Sequence, residues 1–357
     1  TASICYVFAV DGEAMDVPVN RVPAGGVEDD ATATIEVPEI EKALENRQFG
    51  EGGANEVMVG ETFEYIVTID LIEGLTENAV FTDTVTRGGL ELISAEIITF
   101  DGTITGSSLG VGDTVAAVGG SSVTFNFGNL TVPSDNNEAN DIIEIRVFAR
   151  APDDQVGNAG ELLQNRARLD FDGGRVQDFQ GQRLSEPNIS LTKDASPAVV
   201  VADGTVNYAV EIENDAGLRD APAFDLRMTD TVDPNVTLDP NSVVLLLTPA
   251  GGGAPGIVTT AAGYDVNYIG LDSFEVLVDR LDEGDTLTVN YTATVNSDVL
   301  ASLTIPNSAG LTFDSTPETE VIGDGAPAAG GLDADSADRD YSLTAAAAVP
   351  TAGLEFD

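Results

Sequence analysis

The sequence contains no histidine, no tryptophan and a single cysteine, Cys5, and only 15 of its 357 residues are basic. Each scarcity excludes something. One cysteine cannot form a disulfide within the chain, so any robustness has another source. Histidine is the usual acid–base residue near neutral pH and a common metal ligand, so its absence argues against hydrolases and zinc enzymes. Without tryptophan, the usual platform for stacking sugars is missing. Only two lysines occur, Lys42 and Lys193. No apolar run reaches the length of a membrane span. The chain opens on Thr1 with no signal-peptide pattern, as expected of a mature product or a piece of something longer.

What is abundant is acid. Sixty-one Asp and Glu give a formal net charge of −46. Such a surface repels nucleic acid and anionic membranes. It suits either solvation in a saline medium or neutralisation by bound calcium, and solvation is the simpler account. The hydrophobic fraction is 42%, enough for real cores, and 37 glycines accompany recurrent Thr, Val, Asp and Ala. That vocabulary belongs to strands and turns.

The chain repeats itself. Asn165-Arg-Ala-Arg-Leu-Asp-Phe-Asp172 and Asn307-Ser-Ala-Gly-Leu-Thr-Phe-Asp314 share the pattern N-x-A-x-L-x-F-D. Upstream of each lies a period-two strand, with Ile143, Ile145, Val147 and Ala149 on one face in the first, and Leu287, Val289, Tyr291 and Ala293 in the second. Earlier still, Phe63, Tyr65, Val67 and Ile69 match Val206, Tyr208, Val210 and Ile212. The tripeptide Thr82-Asp83-Thr84 returns as Thr229-Asp230-Thr231. These matches predict an all-β chain of tandem antiparallel β-sandwiches of about seven to nine strands each.

The repeats are expected over 39–186 and 187–320. Residues 1–38 form an N-terminal strand segment that resembles the end of a preceding repeat. Residues 321–357 form a Gly/Ala/Asp-rich linker with a terminal strand, Ser342–Ala345, that echoes the opening strand Ser190–Lys193. By propensity alone Glu39–Asn46 reads as a short helix, whereas the repeat makes it a strand.

Glu186-Pro-Asn-Ile-Ser-Leu-Thr-Lys193, Asp203-Gly-Thr-Val-Asn-Tyr208, Thr229-Asp-Thr-Val232, Gly284-Asp-Thr-Leu-Thr-Val-Asn-Tyr291 and Asn307-Ser-Ala309, in this order and spacing, resemble a DUF11-type repeat and the related isopeptide-forming domain of bacterial fimbrial and surface proteins. The resemblance covers most of the second copy and, more loosely, the first. It implies immunoglobulin-like, collagen-adhesin-like sandwiches strung along an extracellular stalk, adhesin or fimbria at the cell surface. In some members it also implies a spontaneous Lys–Asn isopeptide bond promoted by a buried acid.

Each copy holds one lysine near its head, then an aspartate, then an asparagine. Lys42 precedes Asp83 by 41 residues and Asp83 precedes Asn165 by 82; Lys193 precedes Asp230 by 37 and Asp230 precedes Asn307 by 77. Read one at a time, these are an exposed lysine, a turn aspartate and a capping asparagine. The repeated order, with no other lysine in the chain, favours Lys42–Asn165 and Lys193–Asn307 as cross-links, with Asp83 and Asp230 as the acids. Asp225 is a rival acid in the second copy.

Asp333, Asp335, Asp338 and Asp340 are closely spaced enough to suggest calcium, and Asp135, Glu138 and Asp141 form a looser set. Calcium takes six to eight oxygen ligands, but the tight cluster lacks the glycine and terminal glutamate of an EF-hand, and a solvated acidic linker is the preferred reading. No cofactor is required, calcium being the one candidate. Sequons at Asn129, Asn188, Asn235 and Asn290 matter only in an organism that glycosylates. Nothing selects a carboxylate pair for glycoside hydrolysis.

The function these features imply is structural and not enzymatic: a stalk, adhesin shaft or fibre subunit. Its expected partners are neighbouring copies of itself, joined head to tail by strand addition at an open edge. The alternative is a module that binds a glycan or protein on its loops, which an aromatic-rich pocket would favour.

Overall fold

The computed structural model describes residues 37–49, 53–135, 137–151, 159–258, 263–317 and 339–353. The chain divides into two compact units, one of Thr1–Gln48, Thr62–Ala151 and Leu162–Gln182, the other of Phe49–Glu61, Pro152–Glu161 and Arg183–Asp357. Both are antiparallel β-sandwiches.

The first ten strands are β1 (Glu39–Arg47), β2 (Glu56–Met58), β3 (Thr62–Asp70), β4 (Gly74–Arg87), β5 (Glu91–Phe100), β6 (Thr114–Ala116), β7 (Ser122–Val132), β8 (Ile142–Arg150), β9 (Leu162–Phe171) and β10 (Gly174–Ser185). They form one sheet in the order β1-β3-β8-β5-β6 and another in the order β10-β9-β4-β7, with β2 parallel to Arg183–Ser185 at the end of β10. Glu39–Arg47 is thus a strand, not the helix its propensity allows. Its partner β3 alternates buried and half-buried residues along its whole length, and that pattern outweighs a weak local preference.

The second set is β11 (Ile189–Ser196), β12 (Thr205–Asn214), β13 (Ala223–Thr231), β14 (Val236–Leu238), β15 (Val244–Thr248), β16 (Gly256–Ile257), β17 (Tyr264–Tyr268), β18 (Ser273–Leu281), β19 (Thr286–Val295), β20 (Thr304–Asp314) and β21 (Asp340–Pro350). One sheet runs β11-β12-β19-β15-β16, with β14 also on β19, and the other runs β17-β18-β13-β20-β21. The order reproduces that of the first unit strand for strand: β11, β12, β19, β15 and β16 stand where β1, β3, β8, β5 and β6 do, and β21, β20, β13 and β18 stand where β10, β9, β4 and β7 do. The second sandwich carries eleven strands among the described residues, more than the seven to nine expected. The surplus includes β14 and β16, of three and two residues, too short for periodicity to reveal.

Two expectations about the ends meet the structure differently. The N-terminal segment lies, in its residues 1–36, outside the described residues. The terminal strand β21, read from its echo of Ser190–Lys193 as the opening of another unit, pairs with β20 from Thr304↔Pro350 to Asp314↔Asp340. It closes the second sandwich in the place that β10 holds in the first. A short alternating polar–apolar echo specifies a strand but not its neighbour.

Period-two burial builds both cores. Phe63, Tyr65, Val67 and Ile69 are buried, as are Ile143, Ile145, Val147 and Ala149 opposite them, and the counterparts on β12 and β19 are buried too. Each such aliphatic or aromatic side chain stabilises by ~1.5–3 kcal/mol on burial. A one-residue slip would turn the whole set to solvent, so registers are firmly set and lysines facing inward have fixed addresses. The turn into β19 needs Gly284, whose φ is +82° and where a Cβ would lie 2.9 Å from that of Ala250.

Candidate functional site

Lys42 lies on β1 with its side chain directed inward, because it shares the register of Val67 on β3, a core position. Asp83 lies on β4 and pairs with Ala167 of β9; Asn165 lies two residues earlier on β9. The lysine therefore projects from one sheet and the acid and amide from the other. β1 pairs with β3, and β9 lies in the facing sheet. A Lys42–Asn165 bond would accordingly staple sheet to sheet.

The three side chains meet in the core. Lys42 Nζ donates to Asp83 Oδ2 at 2.5 Å, with both side chains wholly buried, and the ammonium sits 3.9 Å from the centre of the Tyr65 ring. Asn165 is also buried. Its Oδ1 accepts from the Arg166 amide at 2.8 Å, while its Nδ2 and Asp83 Oδ1 have no well-formed hydrogen bond. Asn165 is close enough to favour the Asp83 carboxylate. Tyr65 donates its hydroxyl to Gln182 Oε1, itself buried.

The second unit repeats the arrangement. Lys193 on β11 pairs with Val210, Asp230 on β13 pairs with Ala309, and Asn307 on β20 stands two residues before Ala309. Lys193 Nζ donates to Asp230 Oδ2, again with both side chains wholly buried. Asp230, not Asp225, is the lysine's partner; Asp225 sits at φ +51° in an irregular stretch of β13. Here a fourth group joins: the Tyr291 hydroxyl lies 2.7 Å from Lys193 Nζ, 2.7 Å from Asp230 Oδ2 and 2.6 Å from Asn307 Nδ2. Asp230 Oδ1 and Asn307 Oδ1 are buried without a well-formed hydrogen bond, and Asn307 is close enough to favour the Asp230 carboxylate.

Burial dominates the electrostatics of both sites. It lowers the pKa of Lys42 and of Lys193, opposed by Asp83 and Asp230 respectively. It raises the pKa of Asp83 and of Asp230, opposed by the lysines and asparagines around them. Both shifts favour the neutral amine and the neutral acid over the ion pair. Burial, and then the Asp230 charge, pushes the Tyr208 phenol up to about 12 and that of Tyr291 higher still.

Chemically, each cluster presents an amine, a carboxyl and a carboxamide buried together in the core. That is the composition needed to form one amide by displacement of ammonia. The sequence reading missed Tyr65, Gln182 and Tyr291. The signal for Tyr291 was present: a tyrosine at an inward-facing strand position needs a partner for its hydroxyl.

The calcium candidates fare differently. Asp333, Asp335 and Asp338 lie outside the described residues, and Asp340 opens β21 opposite Asp314. In the looser set, Asp135 accepts from Asn137 and Asn140. Asp141 is buried, its pKa raised by burial and then by Glu73, Asp135, Asp70 and Asp101. Among the described residues no group of three or more Asp, Glu or Cys is placed to hold a metal ion, and no helix is long and apolar enough to cross a membrane. A shallow groove on the outer face of β13, β20 and β21, lined by Arg227, Thr229, Thr312, Ser342 and Thr344 among others, has no aromatic lining.

No protein-family model and no curated protein sequence matches the chain. Among solved structures it is similar to the C-terminal domain of the AgI/II polypeptide BspA of Streptococcus agalactiae, with a TM-score of 0.46 and 11% identity over 88% of this chain and 99% of that one. It is similar also to the C-terminal domain of the Streptococcus pyogenes antigen I/II-family protein AspA, with a TM-score of 0.45 and 9% identity over 89% and 100%. ACE19, the collagen binding subdomain of the Enterococcus faecalis surface protein ACE, matches with a TM-score of 0.28 and 11% identity over 44% and 94%.

Proposed function

We propose that this chain is an extracellular structural module, part of a bacterial cell-surface stalk, adhesin shaft or fibre. In this reading its two sandwiches are each locked by one intramolecular isopeptide bond, Lys42–Asn165 and Lys193–Asn307. The observation that carries the reading is that both lysines of the chain are buried against an aspartate of the opposite sheet, with an asparagine of the adjacent strand beside it. A surface lysine has no reason to be there, and a buried ion pair is poor value as a stabiliser, because desolvating two charges offsets most of their attraction.

The chemistry follows from burial. The neutral amine attacks the Asn Cγ, while the protonated aspartic acid hydrogen-bonds the carboxamide oxygen and polarises it. The new Nζ–Cγ bond forms, the Cγ–Nδ2 bond breaks, a proton from the amine ends on the departing nitrogen, and ammonia leaves. The reaction runs once per repeat and leaves no ionisable amine in the core.

The mechanical consequence is that load entering through β1 and leaving beyond β9 bypasses the residues between them. In single-molecule pulling, a locked repeat should release no slack, whereas Lys42→Met should let roughly 120 residues extend by ~40 nm in the first repeat. Equal extension of wild type and variant would sink the proposal. Head-to-tail assembly with neighbouring copies is the corresponding expectation for partners.

A further inference from the structure

From the contacts of its hydroxyl we infer that Tyr291 is a catalytic residue for the second repeat alone, carrying the proton from the attacking lysine nitrogen to the departing amide nitrogen. The inference rests on the isopeptide reading given above and adds a residue, and an asymmetry, to it.

A phenol has one proton to donate and two lone pairs. At Tyr291 all three are engaged. The hydroxyl donates to Asp230 Oδ2, and it accepts from Lys193 Nζ and from Asn307 Nδ2. One hydroxyl thus hydrogen-bonds nucleophile, acid and leaving-group nitrogen together. The ring is held by stacking on Tyr208, with centroids 5.1 Å apart, and by an edge contact to Phe274 at 5.0 Å. The oxygen therefore cannot drift from its three partners without disturbing the core.

The first repeat lacks this group. Tyr208 pairs with Tyr291 across β12 and β19, and its counterpart Tyr65 pairs with Val147 across β3 and β8. The Tyr65 hydroxyl is engaged by Gln182 instead, and Asn165 lies beside Asp83.

The step balances as follows. As Nζ bonds to Cγ, the carboxamide nitrogen loses its conjugation and gains a basic lone pair. The Tyr291 proton passes to that nitrogen, and the phenol takes one proton from Nζ in return. The Cγ–Nδ2 bond breaks, ammonia departs, and the phenol ends in its starting state. Burial keeps the phenol protonated throughout the neutral range, so no phenolate is needed. Positioned proton transfer of this kind is worth ~10²–10⁴-fold in rate.

The test is pulsed cell-free synthesis of the full chain, quenched in denaturant at intervals and mapped by peptide mass, with the first repeat as an internal clock. Tyr291→Phe keeps the stacked ring. It should slow ammonia loss in the second repeat by ~10²-fold and leave the first unchanged. Site-specific 3,5-difluorotyrosine at position 291 keeps the hydroxyl and makes it more acidic, so the second repeat alone should react faster. A purely structural tyrosine predicts no such change. Unaltered rates in both substitutions would overturn the role of Tyr291 while leaving the cross-link intact. Absence of any ammonia loss from the wild-type second repeat would overturn the cross-link reading and this inference together.

Discussion

Replacing Asn165 with alanine should destabilise the first repeat far more than the loss of one buried amide can explain. In the chain-entropy model, a cross-link that closes a loop of roughly 120 residues stabilises by ~5 kcal/mol. Truncating Asn165 otherwise costs only its hydrogen bond to the Arg166 amide and a small cavity, about 1–2 kcal/mol. The expected total is therefore ~6 kcal/mol. For a repeat of this size that is a fall in Tm of roughly 15–25 °C, read by calorimetry and assigned to its repeat by hydrogen exchange. The decisive feature is non-additivity. Lys42→Met abolishes the same bond, so Asn165→Ala placed on top of it should cost only the residual ~1–2 kcal/mol. A loss that small in the wild-type background, or equal losses in both backgrounds, would refute the reasoning.

Further predictions address the acids, the lysines and the surface. Asp230→Ala should restore ~17 Da to the second repeat and leave the first unchanged, with Asp83→Ala doing the reverse, since each acid touches only its own lysine; restoration in both repeats from one substitution would contradict two independent sites. In Asp230→Ala the uncoupled Lys193 remains buried with its pKa below the ordinary 10.5. The unfolded chain then binds the extra proton, so stability should rise with pH towards 10.5 and fall as pH drops through the depressed value; a flat profile from pH 6 to 10 would place that lysine in solvent. With a net charge of −46, self-repulsion should be relieved by salt, and the Tm should climb between about 0.01 and 1 M sodium chloride as the Debye length falls from ~30 to ~3 Å. A Tm unmoved by salt would show that the acidic residues are too dispersed to matter.

Much of this architecture was legible because inward-facing positions recur every second residue. The sets Phe63–Ile69 and Val206–Ile212 declared their strands and faces, and the repeated Thr-Asp-Thr tripeptide marked β4 and β13 as equivalent. Pairing was not legible to the same degree. Alternation says which way a side chain points, not which strand lies beside it, so the echo of Ser190–Lys193 in β21 marks a strand without naming β20 as its neighbour. The short strands β14 and β16 lack the length to show any period. In the site, the Lys–Asp–Asn order was visible as three types of residue recurring at similar spacing. Tyr291 was visible only as a core-facing residue. Its role rests on three contacts of its hydroxyl, and the asymmetry on Val147 standing at the equivalent position in the first repeat.

The most direct measurement is the intact mass of the purified chain, compared with the mass its sequence requires. Two isopeptide bonds expel two molecules of ammonia, so the account predicts a deficit of ~34 Da, divided as ~17 Da between the peptides joined at Lys42–Asn165 and those joined at Lys193–Asn307. A chain at its full sequence mass, with Lys42 and Lys193 recovered in unbranched peptides, would contradict it.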